Sequence, residues 1–216
     1  MLLSILFTRP EIFIIWIIAI VFGITVHEFA HAFAAYKMGD NTAKYLGRLT
    51  LNPLKHMDVM GSLMLLLVGF GWGKPVPFNP YNLRYKKFGA AIVAIAGPLA
   101  NLISVFVFGI MLYLIDSYTS FGDRNLLLSL FFVIVILNIF LILFNLLPIP
   151  PLDGSKVLYA FLPSSKQNVV IFLEKYGIYI LLAFIILGGS ILSFVFGYFI
   201  SLSSDILHYY PWFLYI

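Results

Sequence analysis

The sequence predicts an all-α polytopic membrane protein, with about four transmembrane helices, a re-entrant segment and a short extended or β element. Three observations carry this. Of 216 residues, 62% are hydrophobic and 10% charged, whereas a soluble domain carries roughly 25% charged residues. Apolar runs of bilayer-crossing length alternate with polar loops. The Lys and Arg residues gather in loops that one topology places on a single side. The same composition excludes a soluble globular domain, a disordered chain and a nucleic-acid-binding module. The net charge of +4 reads as loop bias and not as a nucleic-acid partner. With no cysteine, disulfides and thiolate metal sites are excluded, so any metal must be held by His, Asp or Glu. The chain is expected to form one domain over 1–216, embedded in the lipid bilayer as a multi-pass protein of the cell membrane.

The first apolar run, Ile12 to Tyr36, exceeds the roughly 20 residues a bilayer core requires. It is too long for a cleaved leader and lacks a basic flank. Residues 37–56 form a polar loop. Residues 57–72 are apolar but short, punctuated by Gly61, Gly69 and Gly71. Residues 73–87 contain Pro75, Pro77 and Pro80 and read as extended; 73–80 is either a strand edge with Val76 free to pair or a plain proline-rich connector. Phe88 to Ile115 is the second span and Leu126 to Leu147 the third. Residues 148–175 open with PIPPLDG and continue as a polar or amphipathic segment. Tyr176 to Ile200 is the fourth span, and Tyr209, Tyr210, Trp212 and Tyr215 suit a membrane interface.

Charge assigns the sides. If 57–72 dips in and returns, 11 of the 13 Lys and Arg residues share one face, leaving only Arg9 and Arg124 opposite. The positive-inside rule makes that face cytoplasmic and puts both termini outside. A re-entrant segment in turn implies a protein-lined or wet cavity.

The strongest local signal is His27-Glu28-Phe29-Ala30-His31 near the end of the first span. On a helix, residues i and i+4 share a face, so the two imidazoles can hold one Zn²⁺ while Glu28 acts as a base on water. A chance occurrence is disfavoured inside an apolar span, where an acidic residue costs on the order of 3 kcal/mol. Catalytic zinc takes a third protein ligand and keeps an open position. His56, Asp58 and Asp153 lie on the same side, and Asp153 is best placed. It follows Asn145-Leu-Leu-Pro-Ile-Pro-Pro-Leu, where prolines must open the third helix at the membrane rim. Taken alone, Asp153 before Gly154 reads as a turn or cap. His56 and Asp58 read as loop or cap residues. Asn101 and Asn138, buried in spans, either orient a metal ligand or link two helices.

HEFAH together with NLLPIPPLDG resembles the site-2 protease family of intramembrane zinc metalloproteases. GWGKPVPFNP (71–80) and AGPLANL (96–102) are similar to further stretches of its compact members, and no PDZ or CBS domain is evident. The resemblance implies His27, His31 and Asp153 as zinc ligands and Glu28 as catalytic base. It implies that Asn145 holds the substrate backbone or the developing oxyanion, and that the substrate is a transmembrane protein cut near the cytoplasmic side. Oligomeric state is not implied. Three rivals remain at this point: an ion or proton transporter using the buried His, Glu and Asp groups, a metalloprotease whose third ligand is Glu174, and a non-catalytic relative acting as a binding scaffold.

Overall fold

The computed structural model describes residues 2–68, 71–119 and 124–214; Gly69, Asp123 and Tyr215 fall outside them. A short helix α1 (Leu2–Thr8) precedes α2 (Pro10–Lys37). Pro10 occupies the first turn, where its missing N–H costs nothing, and Glu11 complements the helix dipole there. The helix stops before Gly39, whose φ of 102° suits glycine. Two short helices follow, α3 (Thr42–Tyr45) and α4 (Val59–Val68). Then come α5 (Gly89–Tyr118), α6 (Leu126–Asn145) and α7 (Asp153–Phe161). The chain closes with α8 (Gln167–Leu187) and α9 (Gly189–Leu207). Asn125 caps α6, its Oδ1 accepting from the Leu127 and Leu128 amides at 2.9 and 3.3 Å.

Helices α2, α5 and α6 pack against one another as the body of the molecule. The pattern on α5 is inverted relative to a soluble helix. Gly97, Pro98, Asn101, Ser104 and Gly109 face inward. Ile95, Leu99, Ile103, Phe106 and Ile110 face out, at spacings of three and four. Lipid is as apolar as leucine, so burying leucine between helices gains little there. Close approach of small residues and interhelical hydrogen bonds hold such helices together instead. Five helices or helical stretches are long and apolar enough to cross a membrane: 10–37, 89–118, 126–145, 164–187 and 189–207. The apolar stretch 176–200 is therefore not one helix. It breaks at Gly188, where a Cβ would lie 2.4 Å from the Phe184 carbonyl oxygen. Two consecutive glycines are poor helix formers, and hydropathy does not register that.

The direction of each helix follows from its contacts. Ile12, Ile15 and Ala19 of α2 pack on Val133 and Ile134 of α6, while His31 lies beside Val93 of α5. Phe196 of α9 packs on Phe140, with ring centroids 4.4 Å apart, and Leu207 joins Leu112 and Leu128. So α9 runs antiparallel to α6. The molecule has an apolar end, near Ile12, Leu112, Leu128 and Leu207, and a polar end, where α2 and α6 terminate and α5 and α7 begin. At the apolar end, the Arg9 and Arg124 guanidiniums lie 5.0 and 5.7 Å from the centre of the Trp212 ring.

Segment 57–72 starts and finishes at one place. Met57 and Gly73 form an antiparallel bridge, and the Lys74 amide donates to the His56 carbonyl at 2.8 Å. Between them α4 rises about 15 Å for its ten residues. Trp72 then packs back on Gly61 so closely that a Cβ there would meet its carbonyl oxygen at 2.1 Å. Among the described residues this single bridge is the whole of the β structure, and 73–80 forms no strand. Pro75 and Pro77 lack donors, and the amides of Val76 and Asn79 are held by carboxylates: Glu28 Oε2 at 3.0 Å and Asp40 Oδ2 at 2.7 Å. The expectation that Val76 stands free as a strand edge is thus overturned.

Candidate metal centre

His27 and His31 lie one turn apart on α2, with ring centroids 4.6 Å apart and planes at 87°. Asp153 reaches them from another element. The prolines of LLPIPP end α6 and turn the chain, and α7 starts at Asp153 itself. The turn is tightly seated: a Cβ on Gly154 would lie 2.3 Å from the Leu146 carbonyl oxygen, and one on Gly177 of α8 would lie 2.6 Å from Pro150. Asp153 Oδ2 lies 3.1 Å from His27 Nε2 and 3.2 Å from His31 Nε2. One ligand atom from each of the three residues lies within 4.8 Å of the others. Both histidines are buried, at 5% and 7% exposure.

The other imidazole nitrogens are already engaged. His31 Nδ1 lies 2.8 Å from the Val93 carbonyl oxygen and His27 Nδ1 lies 2.5 Å from Asn101 Oδ1. A carbonyl only accepts, so His31 carries its proton on Nδ1 and turns an Nε2 lone pair toward Asp153. Lone pairs that converge on one point without a proton between them suit a cation. Gly97 forms the wall behind them: a Cβ there would sit 2.5 Å from His31 Nε2 and 2.7 Å from His27 Cε1. Two imidazole nitrogens and a carboxylate oxygen around a space that a methyl group would fill match the donor set of a zinc site with one open position. Asp153 lies outside the long helices.

Glu28 adjoins the cluster in sequence and is half-buried. Its Oε2 accepts the Val76 amide, and Gly73 packs near its Oε1. Asn145 is placed at the end of α6, with its Nδ2 donating to the Leu141 carbonyl at 2.9 Å instead of pointing into the cluster. His56 and Asp58 have the loop and cap roles the sequence indicates. His56 Nε2 lies 2.7 Å from the Thr50 carbonyl oxygen, and Asp58 Oδ1 accepts from the Gly61 amide at 2.8 Å. Glu174 forms a 2.7 Å ion pair with Lys156 and is no part of the cluster.

Two supporting residues escape sequence reasoning. Asp40 is fully buried and accepts from the Asn79 amide, the Asn82 side chain, and the Thr42 amide and hydroxyl. Burial raises its pKa, and these donors more than reverse that, so the carboxyl lies below its ordinary value. The D-x-T spacing signals the local turn with Thr42, but nothing in it signals Asn79 or Asn82. Arg48, also buried, donates to the Lys74 carbonyl and so fastens the strap that reaches Glu28.

Residues 121–188 match the model of Peptidase family M50. The chain is 40% identical over 181 residues to "Putative zinc metalloprotease YwhC" of Bacillus subtilis, covering 82% of this chain and 83% of that protein. It is 32% identical to "Putative zinc metalloprotease Rip2" of Mycolicibacterium smegmatis, covering 81% and 68% of the two chains. It is 31% identical to "Putative zinc metalloprotease MJ0611" of Methanocaldococcus jannaschii, covering 72% and 77%. No solved structure matches. This similarity sets aside the transporter alternative, and the chain belongs to peptidase family M50, the zinc metalloproteases of the site-2 protease type.

Proposed function

We propose that this protein hydrolyses a peptide bond of a transmembrane protein near the cytoplasmic side of the bilayer, as a single domain of the cell membrane crossing it several times. His27, His31 and Asp153 are its zinc ligands, Glu28 its base and Asn145 its substrate-holding amide. The observation that carries this is the convergence of His27, His31 and Asp153 from α2 and α7 on one point, walled by Gly97. Zinc bound there supplies Lewis acidity, polarising the scissile carbonyl and making water acidic enough to be deprotonated near neutral pH.

The chain's own groups do the rest. Glu28 takes the proton of the attacking water and passes it to the leaving amine. Its bond from Val76 N–H turns the carboxylate toward segment 73–76. Asn145 lies beside the turn that delivers Asp153, and its amide can exchange the Leu141 carbonyl for a substrate carbonyl or oxyanion. Asp153 follows the 146–152 turn, whose Pro150 packs on Gly177 of α8, so the turn sets the geometry of the centre.

The charge distribution supports the sidedness. Of 13 Lys and Arg residues, 11 lie in segments at the polar end, and Arg9 and Arg124 gather at Trp212 at the other. The Met57–Gly73 bridge supports a segment 57–72 that enters and returns. Cleavage of a transmembrane peptide by purified wild type and Glu28→Gln tests the reading. Zinc-dependent cleavage by wild type, lost in Glu28→Gln with zinc retained, is expected. Equal cleavage by both removes Glu28 as the base.

A further inference from the structure

Asn101 and Asn138 are both fully buried, one in α5 and one in α6. Each amide has one accepting and one donating end, and the order in which they are used can be worked out from fixed points. The first fixed point is the Ile134 carbonyl, which can only accept. Asn138 Nδ2 lies 2.7 Å from it, so Asn138 must present Oδ1 on its other side. Asn101 Nδ2 lies 2.6 Å from that Oδ1 and 3.3 Å from the second fixed point, the Gly23 carbonyl of α2. Both Asn101 amide hydrogens are thereby committed. A flipped Asn101 would set its oxygen against two acceptors. Asn101 Oδ1 must therefore face His27 Nδ1, at 2.5 Å, and His27 Nδ1 must carry the proton. Its Nε2 is left with a lone pair directed at Asp153, 3.1 Å away.

We propose that Asn101 is a positioning residue that fixes the tautomer and ring orientation of His27, and that Asn138 anchors it. The relay runs Ile134 carbonyl, Asn138, Asn101, His27. It rests on the ligand set proposed above. His31 reaches the same tautomer in one step from the Val93 carbonyl, and His27 reaches it in three. A pair of amides that merely joined helices would have no use for an imidazole as the third partner.

The test uses the full chain in detergent, stripped of metal. Zinc affinity is read by competition with a colorimetric zinc chelator, and the metal-free unfolding temperature is measured alongside. Asn101→Ala is expected to weaken zinc binding about 10- to 100-fold, the usual effect of losing the partner of a ligating histidine. Asn101→Asp keeps an acceptor toward His27 but sets its second oxygen against the Asn138 Oδ1 and the Gly23 carbonyl, so its unfolding temperature should drop while zinc binding stays between that of wild type and that of Asn101→Ala. Asn138→Ala should fall between, because the Gly23 carbonyl still holds Asn101. Two results would overturn the relay: Asn101→Ala binding zinc as tightly as wild type while its unfolding temperature drops, or Asn101→Asp losing as much affinity as Asn101→Ala. A different failure, in which His27→Ala binds zinc as well as wild type, removes the ligand set itself and the relay with it.

Discussion

The two ends of this helix bundle are built on different principles. At the apolar end Leu112, Leu128, Phe131, Phe132, Val135, Leu207 and Tyr209 form one packed cluster, with Ser129 and the Tyr209 hydroxyl 2.9 Å apart within it. At the polar end the apolar cluster shrinks to Ala35, Leu83 and Val93. There the irregular chain is held by side chains bonded to backbone: Asp40 to Asn79, Arg48 to Lys74, His56 to Thr50, Glu28 to Val76. Apolar packing tolerates many sequences, because shape and volume are its only demands. A set of directed bonds tolerates few, since each lost partner leaves a buried group unsatisfied. Metal chemistry belongs at the end where positions are specified.

Substitutions can break or sharpen this contrast. The largest effect is expected at Gly97. In Gly97→Val the added atoms occupy the space between the imidazoles, so zinc content should fall below about a tenth of an equivalent with helicity unchanged. Metal analysis with circular dichroism checks this. Next is Asp40→Ala, which strands the Asn79 and Thr42 amides and should cost about 2–3 kcal/mol, read from thermal unfolding in detergent.

Asp40 also sets a pH dependence. Its folded pKa lies below the ordinary value of 3.8, so its contribution is complete above that value and is lost as pH falls below it. Asp40→Asn should flatten the stability curve below about pH 4. Val76→Pro removes the one amide that Pro75-Val76-Pro77 can donate, freeing Glu28; kcat should fall about tenfold with zinc retained, whereas Val76→Ala is neutral. The smallest effect is expected at the apolar end. Ser129→Ala loses one hydrogen bond, about 0.6 kcal/mol in a membrane setting, and leaves zinc affinity untouched. A large loss of zinc there would erase the distinction between the two ends.

The same contrast decides what could be read in advance. His27 and His31 are legible because helical spacing alone puts them on one face. Asp153 is legible because three prolines must open the chain before it. Residue types cannot reveal bonds to backbone. Val93 contributes to the centre through its carbonyl, and Val76 through its amide, and any residue but proline would offer the latter. Asp40 joins residues some forty positions away, a relation that local pattern does not contain. The helix break at Gly188 is hidden for another reason: hydropathy is uniform across it, and only a pair of small residues marks it.

The central claim is that His27, His31 and Asp153 share one zinc ion. Zinc-edge X-ray absorption of the purified chain tests it most directly. The expected spectrum shows one zinc per chain with two imidazole nitrogens at about 2.0–2.1 Å and oxygen ligands, one of them lost in Asp153→Ala. A coordination shell identical in wild type and Asp153→Ala, or one without imidazole scattering, would contradict it.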